Sequence, residues 1–271
     1  MNHTRTHGNG FFYGGKGDYA ALEAAELTFE NIDCLVCTSG TCLSFVAGLD
    51  VMSYMVEAGR YLRVLLVSTE IASKGLNWKQ KESAALFGDG AAAPVIAKSG
   101  PEERSRILST CIETYSAGAH LSEIRGGGSG RPAGAFAPET VEYYLFDMQG
   151  EPLFRMASKK LPDFMNRLLA EAECSIANIK LVIPHQGSAM AMRLLSRKLR
   201  ISEEQLLYIT PDHGNTISAS IPMGLHEAIR QGRIESGDRV LLIGTWIYEK
   251  NDKAGTNWSV FLMAIQPSLH G

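Results

Sequence analysis

The chain has 271 residues, 45% of them hydrophobic and 20% charged, with a formal net charge of −3. That length supports one large domain or two of ordinary size with an ample core. Mild acidity without a dense basic stripe argues against nucleic-acid binding, and no apolar stretch approaches the roughly 20 residues that cross a bilayer. The basic cluster Arg193 to Arg200 reads as a solvated helix face. The five cysteines (34, 37, 42, 111 and 174) are too few for a disulfide scaffold and read as free thiols of a reducing compartment. With a polar N-terminus that lacks a signal-peptide core, the expectation is a soluble, cytoplasmic protein.

Residues 1–18 read as loop, and 18–29 carry Ala, Leu and Glu at helical spacing. Ile32 to Cys37 is a short apolar run suited to a buried strand. Residues 43–58 are apolar or small on nearly every side, which predicts a core helix ended by Gly59. Tyr61 to Thr69 predicts a strand, Phe87-Gly88-Asp89-Gly90 a tight turn, and Ala91 to Ala97 a further strand. The Gly- and Pro-rich stretch 115–138 reads as a long excursion. Beyond it the spacing predicts helix 156–173, strand 180–183, helix 188–199, strand 206–209, helix 218–231, strand 238–243 and a last strand, Ser259 to Ile265. The rhythm is that of an α/β protein with mostly parallel sheets between helix layers, divided as 1–114, 115–138 and 139–271. Its two halves share a grammar that points to duplication.

Three residues stand where strand-like runs give way to turns or helices. Cys42 precedes the apolar helix, where backbone N–H groups and the helix dipole favour a thiolate; it also reads as a small core residue. His185 follows the strand ending at Ile183, at the strand end where α/β sheets bind ligands, although a backbone-satisfied loop histidine fits as well. Asn215 sits in His213-Gly214-Asn215-Thr216, equally suited to capping the next helix. Together they supply a nucleophile, an acid/base and an amide donor, the set that acyl transfer through a thioester requires. Other motifs fall away. In a strand Cys34 and Cys37 point to opposite faces and cannot chelate one metal, and Gly10 to Lys16 lacks the hydroxyl residue and preceding strand of a phosphate loop.

Several segments resemble the β-ketoacyl-acyl carrier protein synthase III family. They are Ile183-Pro184-His185-Gln186, His213-Gly214-Asn215-Thr216 running on to Ser220-Ile221-Pro222, the turn Phe87 to Ala93, the run Gly237 to Leu242, and Cys42-Leu43-Ser44-Phe45 with Gly48-Leu49-Asp50. The thirty positions between His185 and Asn215 also fit. The resemblance implies a thiolase-like fold and a ping-pong condensation. Cys42 would take an acyl group from acyl-CoA, and a malonyl thioester or a second acyl chain would be condensed onto it. His185 and Asn215 would then hydrogen-bond the second thioester carbonyl. The backbone of Cys42 and Gly255 would form the oxyanion hole, and Phe87, Gln186 and Met190 would contact substrate, with Met190 and Met192 otherwise packing in the core. The resemblance further implies a homodimer served by acyl carrier protein, with no metal or organic cofactor.

The chain also departs from that pattern. It starts inside the first half of the family's members, without their opening strand and a loop that grips CoA. Only Thr38 to Thr41 separate the first strand from Cys42, so a helix and a central strand are missing, which would leave neighbouring strands with unpaired backbone. A polar insert, Ile247 to Lys253, alters the glycine loop before the last strand. Two other functions fit the same residues: acyl transfer to an alcohol or amine, and a catalytically silent partner subunit.

Overall fold

The computed structural model describes residues 4–6, 17–39, 42–103, 105–115, 121–247 and 256–264. In chain order the first elements are β1 (Thr4–Thr6), α1 (Gly17–Ala24), β2 (Cys34–Cys37), α2 (Ser44–Glu57), β3 (Arg63–Ile71), α3 (Lys81–Ala84), β4 (Asp89–Ala92) and β5 (Val95–Lys98). After them come β6 (Arg106–Tyr115), β7 (Ser122–Glu123), β8 (Asp147–Met148), α4 (Gly150–Glu171), β9 (Leu181–Pro184) and α5 (Ala189–Leu199). The last are α6 (Thr210–His213), α7 (Ser220–Arg230), β10 (Arg239–Ile247) and β11 (Thr256–Ala264).

Two sheets carry the fold. The first runs β1-β5-β3-β2 with β4 also on β3, and the second runs β6-β11-β10-β9. Each half has one parallel pair that leads to a site residue, β2–β3 before Cys42 and β9–β10 before His185. The other neighbours are antiparallel, so both sheets are mixed. The sequence expectation of parallel strands holds for these two pairs, while β4, β5, β6 and β11 pair with their neighbours antiparallel.

Alternation along the strands sorts the apolar side chains into layers. In β3, Val64 and Leu66 face the central cluster, while Leu65 and Val67 face Ala21 and Leu22 of α1. In β10, Val240 and Leu242 face the same central cluster, while Leu241 and Ile243 face Phe164 and Leu168 of α4 and Met192 of α5. The middle layer is α2 and α7, each of which contacts both sheets. The architecture is therefore helix, sheet, helix pair, sheet, helix.

Three expectations change. Helix α2 buries one face (Phe45, Val46, Leu49, Ser53, Val56) but exposes Val51, Tyr54 and Met55, because the sheets lie on only part of its circumference. Strand β6 lies before the expected boundary at 114, yet it pairs with β11 in the second sheet, so the sheets do not follow the division at 114. Residues 206–209 form no strand. A single bridge joins Leu206 to Val182, and beyond it a side chain replaces the ladder.

Candidate active site

That side chain is Gln186. It is fully buried; its Nε2 donates to the carbonyls of Pro184 (2.8 Å) and Leu207 (3.3 Å), and its Oε1 accepts from the Ile209 N–H (2.8 Å). These bonds satisfy backbone that a strand would otherwise pair. Gln186 is therefore a brace whose buried side chain is committed to backbone groups, where the resemblance implied a substrate contact.

His185 is held from the same end of β9. Its N–H bonds the Ile243 carbonyl at 2.7 Å, and its Nδ1 lies 2.7 Å from Ser220 Oγ at the start of α7. Ser220 Oγ donates in turn to the Ile217 carbonyl, also 2.7 Å. Burial pushes the imidazole down to about 4, with the Ile217 carbonyl pulling weakly the other way. At neutral pH His185 is uncharged.

Asn215 reaches the site on a loop that the N-terminal half supports. Its N–H donates to the Leu86 carbonyl at 2.7 Å, and its carbonyl accepts from the Gly88 N–H at 3.0 Å. The two loops meet backbone to backbone. A Cβ on Gly88 would fall 2.0 Å from the His213 oxygen, and one on Gly214, at φ +69°, would fall 2.8 Å from the Gly88 nitrogen. The Asn215 Oδ1 accepts from the Ile217 N–H at 2.9 Å. Ile217 is itself an outlier: a β-branched residue at φ +51°, a conformation that costs on the order of 1–3 kcal/mol.

The Cys42 side is built differently. β2 pairs with β3 in register Cys34↔Val64 to Cys37↔Val67. Past its end Thr38 continues the pairing, its N–H on the Val67 carbonyl at 2.7 Å and its Oγ1 beside Ser68 Oγ at 2.7 Å. The Ser39 hydroxyl donates to the Thr69 carbonyl at 2.6 Å. The backbone left unpaired by a missing strand is thus accounted for: β2 lies directly on β3, and hydroxyls cover the carbonyls beyond it. Cys42 then occupies the turn ahead of α2, whose N-cap, Leu43, makes no side-chain cap bond.

Cys42 is not the stabilised thiolate that a helix entrance leads one to expect. Burial pushes its thiol up to about 12, and the charge of Glu70 adds to the rise. Backbone hydrogen bonding to the sulfur opposes this only in part. Glu70 is a buried acid on β3 that accepts from the Ser218 hydroxyl at 2.5 Å, so it also connects the Cys42 side with the Asn215 loop.

The halves converge at Gly244 on β10. A Cβ there would lie 2.6 Å from the Leu43 side chain, 3.4 Å from Ile221 and 3.6 Å from the His185 Cβ, so the Cys42 turn is packed beside the histidine. A side chain at this point would part them. Phe87 stacks edge-on against Phe146 at 5.0 Å while its backbone bridges Asn215, which makes it a support for the loop. Met190 is 62% exposed on the first turn of α5, away from any core, whereas Met192 is buried. Gly255 lies outside the described residues. Among the described residues no group of three or more His, Cys, Asp or Glu could hold a metal, and no helix is long and apolar enough to cross a membrane.

Sequence reasoning missed Glu70, Ile217, Ser218 and Ser220. An acid just past the apolar run Val64 to Val67 of β3 was a usable signal for Glu70. The serines stand in the run already quoted for its resemblance. Nothing local marked Ile217, since a β-branched residue is the last expected at positive φ.

Residues 38–116 match the family model 3-oxoacyl-[acyl-carrier-protein] synthase III, and 169–246 match that family's C-terminal model. The chain is 35% identical over 208 residues to a β-ketoacyl-[acyl-carrier-protein] synthase III of Clostridioides difficile, covering 76% of this chain and 62% of that one. It is 34% identical over 224 residues to the protein of that description from Nitratidesulfovibrio vulgaris, covering 82% and 67%. The crystal structure of 3-oxoacyl-[acyl-carrier-protein] synthase III from Aquifex aeolicus superposes with a TM-score of 0.77 at 25% identity, over 91% of this chain and 82% of that one. The chain thus spans about three fifths of the length of the first of these relatives. It belongs to the 3-oxoacyl-[acyl-carrier-protein] synthase III family, with the thiolase-like α/β fold of that family.

Proposed function

We propose that this chain is a thioester-dependent condensing enzyme that works through an acyl-Cys42 intermediate. The observation that carries the reading is the convergence at Gly244, where the turn bearing Cys42 packs against His185, together with the bracing of Asn215 beside them. In the first step Cys42 Sγ attacks the carbonyl carbon of an acyl-CoA. The thiol proton leaves as the new S–C bond forms, and the departing CoA sulfur takes up a proton. In the second step a malonyl thioester on acyl carrier protein loses CO2, or a second acyl thioester loses its α-proton, to give an enolate; its α-carbon bonds the acyl carbonyl carbon as the C–S bond to Cys42 breaks, and the departing Cys42 sulfur takes up a proton. Asn215 and His185 line the position where its carbonyl becomes an enolate oxygen, the kind of preorganised setting that contributes most to such reactions. The chain works as a cytoplasmic homodimer and needs neither metal nor organic cofactor.

The raised thiol sets a condition on the first step. With Cys42 at about 12, a free thiolate at pH 7 would cost about 7 kcal/mol, so proton removal and attack must coincide. The same observation favours a second reading, a partner subunit of the fold that performs no acyl transfer. Acyl transfer to an alcohol or amine would leave Asn215 without work, and its bracing speaks against it.

Intact-protein mass after incubation with a panel of acyl-CoAs separates these readings. An acyl-sized gain in the wild type that is absent in Cys42→Ala is the expected result. No gain in a folded protein overturns the enzyme reading and leaves the silent subunit.

A further inference from the structure

The glycine-rich stretch between β7 and β8, which the condensing reading leaves unused, folds into a closed loop. Gly127 and Arg131 pair across it: the Gly127 N–H donates to the Arg131 carbonyl at 2.7 Å, and the Arg131 N–H to the Gly127 carbonyl at 3.4 Å. Gly127 and Gly128 stand at φ +104° and +59°, a turn that favours residues without a Cβ. The root of the loop is packed. The Gly126 N–H donates to the Tyr143 carbonyl, and a Cβ on Gly126 would collide with the Tyr144 ring, whose hydroxyl donates to the Pro132 carbonyl at 3.0 Å. Among the described residues, no protein acceptor takes the N–H groups of Gly128, Ser129 or Gly130. An arginine stands on each shoulder of the loop, and both guanidiniums lie against one ring. The guanidinium carbon of Arg131 is 3.7 Å from the centre of Tyr143, and that of Arg125 is 5.1 Å away. Glu123 reaches Arg125 at 4.0 Å, whereas Arg131 has no carboxylate partner among the described residues.

Attraction to the ring accounts for one arginine. A second brings a like charge to the same place, and the two repel unless an anion lies between them. The loop has two guanidiniums and three backbone N–H groups left to give, the set by which arginine forks and glycine-rich turns hold oxyanions. We propose that Arg125 to Arg131 is a binding loop for a phosphate dianion: the two arginines bracket it, and the N–H groups of Gly128, Ser129 and Gly130 bond its oxygens. Arg131 is the stronger hold, since Glu123 already draws on Arg125. Free phosphate and a phosphate monoester offer the same chemistry. The site is separate from the bonds that hold Cys42, His185 and Asn215, and the inference does not rest on the condensing reading.

The test follows the backbone amide NMR signals of the full chain at pH 7.5 while inorganic phosphate is added at constant ionic strength. The Gly128, Ser129 and Gly130 amides are expected to shift downfield and to saturate, with half-saturation on the order of 1 mM. In Arg131→Gln the half-saturating concentration is expected to rise about tenfold. Glycerol 3-phosphate, titrated in parallel, separates the two sources: tighter binding than inorganic phosphate assigns the loop to a monoester, and weaker binding assigns it to free phosphate. Absent shifts, shifts that grow without saturating, or shifts that sodium chloride reproduces overturn the proposal. That titration needs no variant, so an unfolded Arg131→Gln does not shelter it. A folded Arg131→Gln that saturates like the wild type overturns the role of Arg131 and with it the bracketing of the anion.

Discussion

The two sides of the site are held by opposite means. On the His185–Asn215 side hydrogen bonds set the geometry: Gln186 ties three backbone groups, Ser220 and Ile217 hold the histidine and the asparagine, and a glycine-to-glycine contact locks the loop. On the Cys42 side a four-residue edge strand ends in two hydroxyl contacts, and the thiol is left in an apolar setting beside a carboxylate. One side is organised by hydrogen bonds, the other by burial and charge. The comparison teaches that the His185 and Asn215 loops are placed by hydrogen bonds, whereas Cys42 is held as a neutral thiol by its surroundings.

The contrast can be broken most severely at Gly88. Gly88→Ala is expected to cost about 3 kcal/mol or more in urea unfolding, because the new methyl meets a backbone oxygen that cannot move without the Asn215 loop. A variant as stable as the wild type would show that the contact is slack.

Next in size is the response to pH, which is expected to differ in direction between the two sides. His185 is held near 4 against an unfolded value of 6.5, so its contribution is fully present above pH 6.5 and is lost as pH falls toward 4. The loss is up to about 3 kcal/mol. Cys42, raised from 9.0 to about 12, contributes below pH 9 and loses that contribution as pH rises toward 12. Unfolding curves across pH should therefore flatten on the acid side in His185→Gln, apart from a smaller slope due to the half-buried His226, and on the alkaline side in Cys42→Ala. Identical acid limbs in wild type and His185→Gln would refute the burial argument.

A smaller change sharpens the Cys42 side. Glu70→Gln keeps an oxygen for Ser218 and removes the charge. The alkylation midpoint of Cys42, read by difference against Cys42→Ala, should fall yet stay above 9, since burial is the larger cause. Smallest of all, Met190→Ser should change stability by less than about 0.5 kcal/mol and leave the preferred acyl chain as it was, as befits an exposed side chain.

Much of this was legible in sequence where one chemical property repeats along a segment. The apolar runs of β3, β9 and β10 were read because strands buried on both faces are apolar throughout, and Gly59 stopped α2 at φ +71° as expected. The positions of Cys42, His185 and Asn215 at element ends followed from the same boundaries. What escaped were features set by distant neighbours. Residues 206–209 looked like a strand because they are apolar, but the Gln186 side chain took the place of a ladder. The helix entrance at Cys42 promised a thiolate, and Glu70 with burial reversed the sign. The apolar face of α2 at Val51, Tyr54 and Met55 could not be told from a core face without knowing what covers it.

The bond between Ser218 and Glu70 joins residues 148 positions apart, and the Gly88–Asn215 pairing likewise joins one half to the other. Contacts so remote in the chain close late in folding, because the loop entropy must be overcome before they return anything. A chain with only its N-terminal half folded would hold Cys42 with no braced histidine or asparagine beside it. The acyl transfer proposed above is therefore expected to be the last property acquired during folding and the first lost under mild denaturant, ahead of the secondary structure. In this architecture the loss of reactivity would serve as an early reporter that the two halves have begun to separate.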